Sequence, residues 1–206
     1  MRRPFGGGGG AAIDWLIVGL GNPGAEHAGS RHNLGFMVGE ELAARWGLRW
    51  GRDRFKARLA EGRAGGPVLG EPSAARVALL LPQTYMNDSG RSVGPARGSL
   101  KVPLDHVVVV YDEIDLPFGE VRSRVGGGTA GHNGMKSLKR ELGSADFVRV
   151  RGGVGRPEST DPEVVSAWVL GRFREPDSEV RDLVARAAEE VERIVSGAEL
   201  AAAQES

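Results

Sequence analysis

Short apolar runs that lead directly into polar clusters constrain this chain more than any other feature of its sequence. Three such runs precede side chains suited to polar chemistry: 13–20 before Asn22 and His32, 76–82 before Asn87, and 106–111 before Asp112. Runs of this length that are followed by Gly, Pro or polar residues predict buried strands. Because ligands of open α/β sheets bind beyond the carboxyl ends of the strands, we expect these side chains to meet in one cleft.

The remaining pattern alternates between helix and strand. Apolar residues at helical spacing predict helices at 33–46, 88–100, 132–142, 161–170 and 177–197. Short apolar or alternating runs predict further strands at 121–125 and 147–154 and a hairpin within 55–69. A glycine loop at 126–134 leads His132 and Asn133 into a helix, and we expect it to reach the same cleft. The fold class that follows is α/β: a single domain with a mixed, mostly parallel twisted sheet flanked by helices. The domain spans 13–197, between a flexible glycine-rich tail at 1–12 and a frayed tail at 198–206.

Composition excludes several classes of protein. None of the 206 residues is cysteine, which excludes disulfides, thiolate nucleophiles and cysteine-bound zinc. No apolar run approaches the roughly 18 residues that a membrane span needs, and the start of the chain lacks the apolar core of a signal peptide, so we expect residence in the cytoplasm. We also expect a monomer. The net charge is zero, but residues 119–156 hold eight basic and three acidic residues. This excess fits a positive, nucleic-acid-binding face and a solvated mixed surface equally well.

Two glycine patterns resemble cofactor-binding loops but lack essential parts of them. Residues 19–24 match the Gly-x-Gly-x-x-Gly dinucleotide pattern, yet Pro23 and the residues after it predict a loop where that pattern requires a helix. The glycines at 126–128 are not followed by the Gly-Lys-Ser/Thr of a phosphate-binding P-loop. No zinc-protease histidine spacing occurs either. We therefore expect no nucleotide cofactor and no metal.

A histidine and an aspartate at the predicted cleft suit hydrolysis by activated water. No Gly-x-Ser-x-Gly nucleophile motif is present. A histidine whose tautomer is fixed by an aspartate is an efficient general base near neutral pH. His32 and Asp112 are the candidates, because each follows a predicted strand. Taken singly, His32 also fits an ordinary helix-start residue and Asp112 an ordinary turn former.

Five segments together resemble bacterial peptidyl-tRNA hydrolase, in the order and spacing of that family. They are Gly-Leu-Gly-Asn-Pro-Gly with Arg-His-Asn-Leu-Gly-Phe (19–36), Pro-Gln-Thr-Tyr-Met-Asn-Asp-Ser-Gly (82–90), Tyr-Asp-Glu-Ile-Asp-Leu-Pro (111–117), the glycine loop (126–137) and Arg-Val-Arg-Gly-Gly-Val-Gly-Arg-Pro (149–157). The resemblance covers roughly residues 13–197. It implies cleavage of the ester that joins a peptide to the 3′ end of tRNA, with the acceptor stem and 3′ end of peptidyl-tRNA as the partner.

The resemblance also implies roles for individual residues. His32 matches the catalytic base, Asp112 its supporting acid, and Asn22 the asparagine that selects N-blocked substrates. Tyr85, Asn87 and Asn133 match substrate-contacting positions, and Met86 and His132 lie beside them. His27 stands at a position that contacts the tRNA end, so we predict that all six residues bind substrate. For phosphate contacts we predict Arg124, Lys136 and Arg151, partly by family position and partly from the local charge excess.

The chain departs from the family pattern in four places. His27 replaces a tyrosine, Thr129 and Ala130 replace a histidine and a glycine, and Gly152 replaces an apolar strand residue. These changes concern substrate affinity, since none alters His32 or Asp112. An RNA-binding splicing factor of the same fold, without catalysis, is the alternative. The intact Asn22, His32, Asp112 and Asn133 favour the enzyme.

Overall fold

The computed structural model describes residues 12–65 and 74–197. The tails predicted at 1–12 and 198–206 lie outside the described residues, apart from Ala12. The sheet has six strands, which we number along the chain: β1 Trp15–Gly19, β2 Ala57–Arg63, β3 Arg76–Pro82, β4 Val107–Glu113, β5 Val121–Val125 and β6 Val148–Gly153.

The strands lie in the order β2-β3-β1-β4-β6-β5. The four inner strands are parallel, whereas β2 pairs antiparallel with β3 at one edge and β5 antiparallel with β6 at the other. β4 is buried along its whole length, as expected for a run of β-branched residues in the middle of a parallel sheet. The predicted α/β fold with a mixed, mostly parallel sheet is confirmed.

Helices cover both faces of the sheet. The five helices are α1 Leu34–Arg45, α2 Gly90–Leu100, α3 Asn133–Leu142, α4 Pro162–Leu170 and α5 Asp177–Val195. α1 and α5 pack over one face and share a core with Ile17 and Val110, while α2 and α3 pack over the other face with Val18 and Val109. None of the helices in the described parts of the chain is both long and apolar enough to cross a membrane.

Glycines allow α1 to approach the sheet closely. A Cβ on Gly19 would overlap the carbonyl of Gly35, and a Cβ on Gly35 would overlap the backbone of Leu20 and the carbonyl of Val110. The first turn of α1 therefore lies directly against the carboxyl ends of β1 and β4. This contact places the start of α1, with His32 just before it, at the predicted cleft.

Two predicted elements differ from the structure. The predicted hairpin within 55–69 is wrong where it can be compared: Ala57–Arg63 is a single strand whose partner is Arg76–Pro82, and 66–69 lie outside the described residues. The helix predicted from 88 begins at Gly90 and continues through Pro95 to Leu100. Contact with α3, where the Gly90 N–H donates to Ser137 Oγ at 3.0 Å, helps to fix the start of this helix.

The glycine loop reaches the cleft by an unexpected route. Because β5 is antiparallel to β6, its last residue, Val125, lies opposite Val148, the first residue of β6. This is the end of the sheet away from the cleft. Gly126 is held there by donating to the carbonyl of Phe147 at 3.1 Å. The loop then crosses the face of β6 before His132 caps α3. An antiparallel edge strand ends at the side opposite the cleft, so the loop has to return along the sheet, and it brings His132 to Asp112 as expected.

Candidate active site

His32 is presented by a rigid turn between β1 and α1. The preceding residue, Arg31, is almost completely buried and donates to the carbonyl of Arg172 at 2.7 Å and to the carboxylate of Glu175 at 3.2 Å. Its guanidinium also lies 3.9 Å from the ring centre of Trp168. These contacts hold the turn against α4 and the segment that follows it, so that the backbone of His32 has a fixed position.

Asp112 lies at the carboxyl end of β4 and contacts two histidines. Nδ1 of His32 lies 2.9 and 3.1 Å from the two carboxylate oxygens, and Nε2 of His132 lies 3.2 Å from Oδ1. Asp112 is only 2% exposed. Burial raises the pKa of this carboxyl, but the charge of His32 and the hydrogen bonds from both histidines outweigh it and hold the pKa well below its ordinary value. Asp112 is therefore an anion between two imidazoles.

The hydrogen bonds determine which ring nitrogens carry protons. Nδ1 of His132 accepts from the backbone N–H groups of Gly134 at 3.1 Å and Met135 at 3.4 Å, as the N-cap of α3. Its proton is therefore on Nε2, which donates to Asp112. By the same reasoning His32 donates from Nδ1, because an ionised carboxylate can only accept. This leaves Nε2 of His32 with its lone pair, and no residue in the described segments occupies it.

These three side chains also raise the question of a metal. One nitrogen or oxygen from each of His32, Asp112 and His132 lies within 4.8 Å of the others. A metal would need lone pairs on all three atoms, yet the cap on α3 places a proton on Nε2 of His132. The residues therefore fit a hydrogen-bonded base better than a metal centre, and the absence of a metal remains a prediction.

Asn22 is fixed by a network of amide contacts. Its backbone N–H donates to Oδ1 of Asn33 at 2.9 Å, and Nδ2 of Asn33 donates back to its carbonyl at 2.9 Å. Its own Oδ1 accepts from the N–H of Met86 at 2.8 Å. Because Oδ1 is occupied, the Nδ2 amino group is the part of this side chain that remains to donate to another molecule.

Four other predicted substrate residues differ in how exposed their side chains are. Met86 is buried, and its sulfur contacts the start of α3 at Gly134, where any added Cβ would overlap it. Tyr85 is 67% exposed, and Asn87 and Asn133 are exposed as well. Exposed aromatic and amide groups beside a buried base suit contacts to a large ligand.

His27 lies apart from the buried base. It lies in the turn after Gly24, with Nε2 3.8 Å from the carboxylate of Glu26. Among the described residues it makes no hydrogen bond or ring contact with His32, Asp112 or His132. Its predicted role in substrate binding has no support from these contacts and stays a prediction.

The predicted phosphate residues come from three neighbouring elements. Arg124 on β5 and Arg151 on β6 project from the same face of the sheet, since Arg124 is paired with Arg149, which is two residues from Arg151. Lys136 is exposed in the first turn of α3. Arg124 and Arg151 are half-buried, and Arg151 lies 4.0 Å from the carboxylate of Glu113.

Two of the departures from the family pattern have visible structural consequences. Ala130 has a φ of 44°, a left-handed conformation that disfavours any residue with a Cβ. Gly152 leaves space that the side chain of Leu34 fills, because an added Cβ would overlap it. The glycine therefore allows α1 to pack closely beside Asp112.

Comparison with known proteins is decisive for the family. A family model described as peptidyl-tRNA hydrolase matches residues 16–206. The chain belongs to the peptidyl-tRNA hydrolase family. It is 45% identical to a peptidyl-tRNA hydrolase of Streptomyces coelicolor over 187 residues, covering 90% of each chain, and 46% identical to one of Syntrophotalea carbinolica over 169 residues, covering 82% and 83%.

Solved structures agree with this assignment. A crystal structure of peptidyl-tRNA hydrolase from Acinetobacter baumannii matches with a TM-score of 0.78 at 36% identity, covering 91% of this chain and 92% of that one. A complex of peptidyl-tRNA hydrolase with N-propanol matches with the same TM-score, identity and coverage. The predictions of the family and of a hydrolase are confirmed. The roles of individual residues are not tested by these comparisons.

Sequence reasoning missed two features of the site. Arg149 was given no role of its own, although it is among the largest fully buried side chains. His132 was predicted as a substrate contact, but it also donates to Asp112. The sequence contains one usable signal: a histidine directly before a helical segment can act as its N-cap, which fixes the tautomer.

Proposed function

We propose that the protein hydrolyses the ester bond of peptidyl-tRNA with His32 as general base. The observation that carries this proposal is the unoccupied Nε2 of a histidine whose Nδ1–H is held by a buried, ionised carboxylate. Nε2 takes a proton from a water molecule as that water attacks the ester carbonyl carbon. The resulting tetrahedral intermediate expels the 3′ oxygen of the terminal ribose, which recovers the proton from His32. The products are free tRNA and the free peptide.

Asp112 supports the base in two ways. It keeps the proton of neutral His32 on Nδ1, so that Nε2 faces the water. It also stabilises the imidazolium that forms when His32 takes a second proton, because opposite charges in a water-poor site attract strongly. His132 keeps Asp112 in place by donating from the other side.

Asn22 supplies a donor for the peptide. With its Oδ1 bound to the N–H of Met86, its Nδ2 can donate to a carbonyl oxygen of the substrate. An N-blocked peptide offers such an acceptor, whereas the free ammonium of an aminoacyl ester offers only donors. This difference supports selection of N-blocked substrates.

The tRNA occupies the surface around this site. His27, Tyr85, Asn87 and Asn133 contact the 3′ end, and Arg124, Lys136 and Arg151 contact phosphates of the acceptor stem. These assignments rest on family position and on the clustering of positive charge on β5, α3 and β6. We place the protein in the cytoplasm together with its proposed tRNA substrate, and we propose that it is a monomer, since one chain contains every residue that the proposed reaction uses.

A single-turnover assay tests this function directly. Excess protein is mixed with N-acetyl-aminoacyl-tRNA and with the unblocked aminoacyl-tRNA, and the release of labelled amino acid is followed. We expect rapid hydrolysis of the blocked ester and slow hydrolysis of the unblocked one. Tight binding of both RNAs without hydrolysis would instead support the RNA-binding alternative.

A further inference from the structure

Arg149 is a buried charge on β6, the strand next to the edge strand β5, and the proposed reaction does not use it. It is completely buried on β6, and Arg124 lies directly opposite it on β5. Like charges directly opposite each other destabilise a pair of strands. Burial and the nearby arginines both lower the pKa of Arg149, whereas its interaction with Tyr111 raises it. This arrangement requires compensation from other groups.

The compensation comes from the glycine loop. The Arg149 guanidinium donates to the carbonyl oxygens of Gly127, at 2.6 Å, and Gly128, and more weakly to that of Ala145 at 3.4 Å. Gly127 has a φ of 105°, which strains any other residue, and an added Cβ there would overlap the guanidinium of Arg124. Two successive carbonyl groups of the loop therefore point inward at one buried cation.

The geometry of the peptide bond determines where the neighbouring amides point. The chain has no cis peptide bonds among its described residues, and in a trans peptide the C=O and the following N–H point in opposite directions. With the carbonyls of Gly127 and Gly128 facing inward, the N–H groups of Gly128 and Thr129 face outward. Gly127 and Gly128 are exposed, and neither of these two N–H groups donates to any described residue.

We propose that Arg149 shapes this loop into an anion site, in which the N–H groups of Gly128 and Thr129, together with the guanidinium of Arg124, bind a phosphate of the tRNA. Successive outward amides form a concave site of the kind that binds phosphate. Nε of Arg124 is buried without a partner among the described residues, and the bound anion offsets the repulsion between Arg124 and Arg149. Arg149 is a positioning residue, because it acts through the backbone of the loop. The choice of tRNA as the phosphate source rests on the proposed function.

Two substitutions of Gly128 distinguish the effect of losing its N–H from the effect of adding a side chain. Gly128→Pro removes the N–H, while Gly128→Ala keeps it and serves as the matched control. The backbone at Gly128 is outside the left-handed region, and nothing lies within 4 Å of an added Cβ. In filter binding of deacylated tRNA, we expect Gly128→Pro to weaken the affinity about tenfold relative to Gly128→Ala, the loss of one hydrogen bond to a charged group. Equal affinities would overturn the proposal.

A second measurement needs no variant and covers the case in which Gly128→Pro does not fold. Inorganic phosphate is titrated into the ¹⁵N-labelled wild-type protein, and the amide resonances are followed. We expect saturable shifts of Gly128 and Thr129, and a weaker response in Arg149→Lys, whose single ammonium cannot hold both carbonyls in the same geometry. Shifts confined to other residues would overturn the proposal. Failure of the proposed function is visible separately, as lack of hydrolysis of N-acetyl-aminoacyl-adenosine by the wild-type protein.

Discussion

Replacement of Asp112 by asparagine tests the hydrogen-bond arrangement at the base. Asp112 accepts from both His32 and His132, and hydrogen bonds to a charged group are worth about 1.5–3 kcal/mol each. Asparagine carries no charge to stabilise the imidazolium, and it places an amino group, which cannot accept, where Oδ2 of Asp112 now lies 3.1 Å from Nδ1 of His32. A loss of about 3–5 kcal/mol in the transition state lowers kcat by about 10²–10⁴-fold.

The assay is steady-state hydrolysis of N-acetyl-aminoacyl-tRNA, with kcat and KM determined separately across pH 5–9. We expect the loss in Asp112→Asn to lie in kcat, with KM changed little, because Asp112 is too buried to contact the tRNA. Asp115→Asn is the matched control, since Asp115 is exposed and its side chain pairs with Arg156. A folded Asp112→Asn protein with the kcat of the wild type would refute the reasoning.

Three further predictions follow from the same structure. Replacement of Arg124, Lys136 or Arg151 by alanine should in each case weaken tRNA binding and make the slope of log affinity against log salt concentration shallower by about 1, measured by filter binding. An unchanged slope would exclude that residue from the phosphate contacts. EDTA should leave hydrolysis of N-acetyl-aminoacyl-adenosine intact, and activity that is lost and then restored by a divalent ion would contradict a metal-free site. The lowered pKa of Asp112 means that its contribution to the free energy of unfolding is present above the ordinary aspartate pKa of about 3.9 and is lost as the pH falls through the lowered value. The difference in melting temperature between wild type and Asp112→Asn should therefore stay constant from pH 8 to about 5 and shrink only in stronger acid; a difference that disappears at pH 6 would contradict this assignment.

The sequence predicted the parts of the site that depend on local pattern. Asp112 follows a run of valines, and His32 follows a strand that ends in glycine. Because the carboxyl ends of parallel strands lie at the same side of a sheet, these two patterns predict that both side chains lie in one cleft. Since β1 and β4 are adjacent in the sheet, the two side chains are 2.9 Å apart. The fold class was predictable for the same reason, because helices and strands alternate along the chain.

The parts that were missed depend on long-range geometry. The contact between His132 and Asp112 requires the antiparallel β5 and the return of the glycine loop across β6, which no local pattern encodes. Arg149 has the sequence appearance of a surface charge, and only its pairing with loop carbonyls explains its burial. The strand partner of Ala57–Arg63 was missed because the glycine-broken, alternating pattern of 55–69 suggested a hairpin within that segment, whereas the true partner strand begins only at Arg76.

The most direct test of the account is the single-turnover rate of His32→Ala on N-acetyl-aminoacyl-tRNA. The matched control is His106→Ala, which removes a histidine that stacks on Trp15 at the opposite edge of the sheet. We predict a rate about 10²–10⁴-fold below wild type for His32→Ala, the usual contribution of a general base, with tRNA affinity retained. His106→Ala should hydrolyse at the wild-type rate. A folded His32→Ala protein that hydrolyses as fast as its control would contradict the central claim.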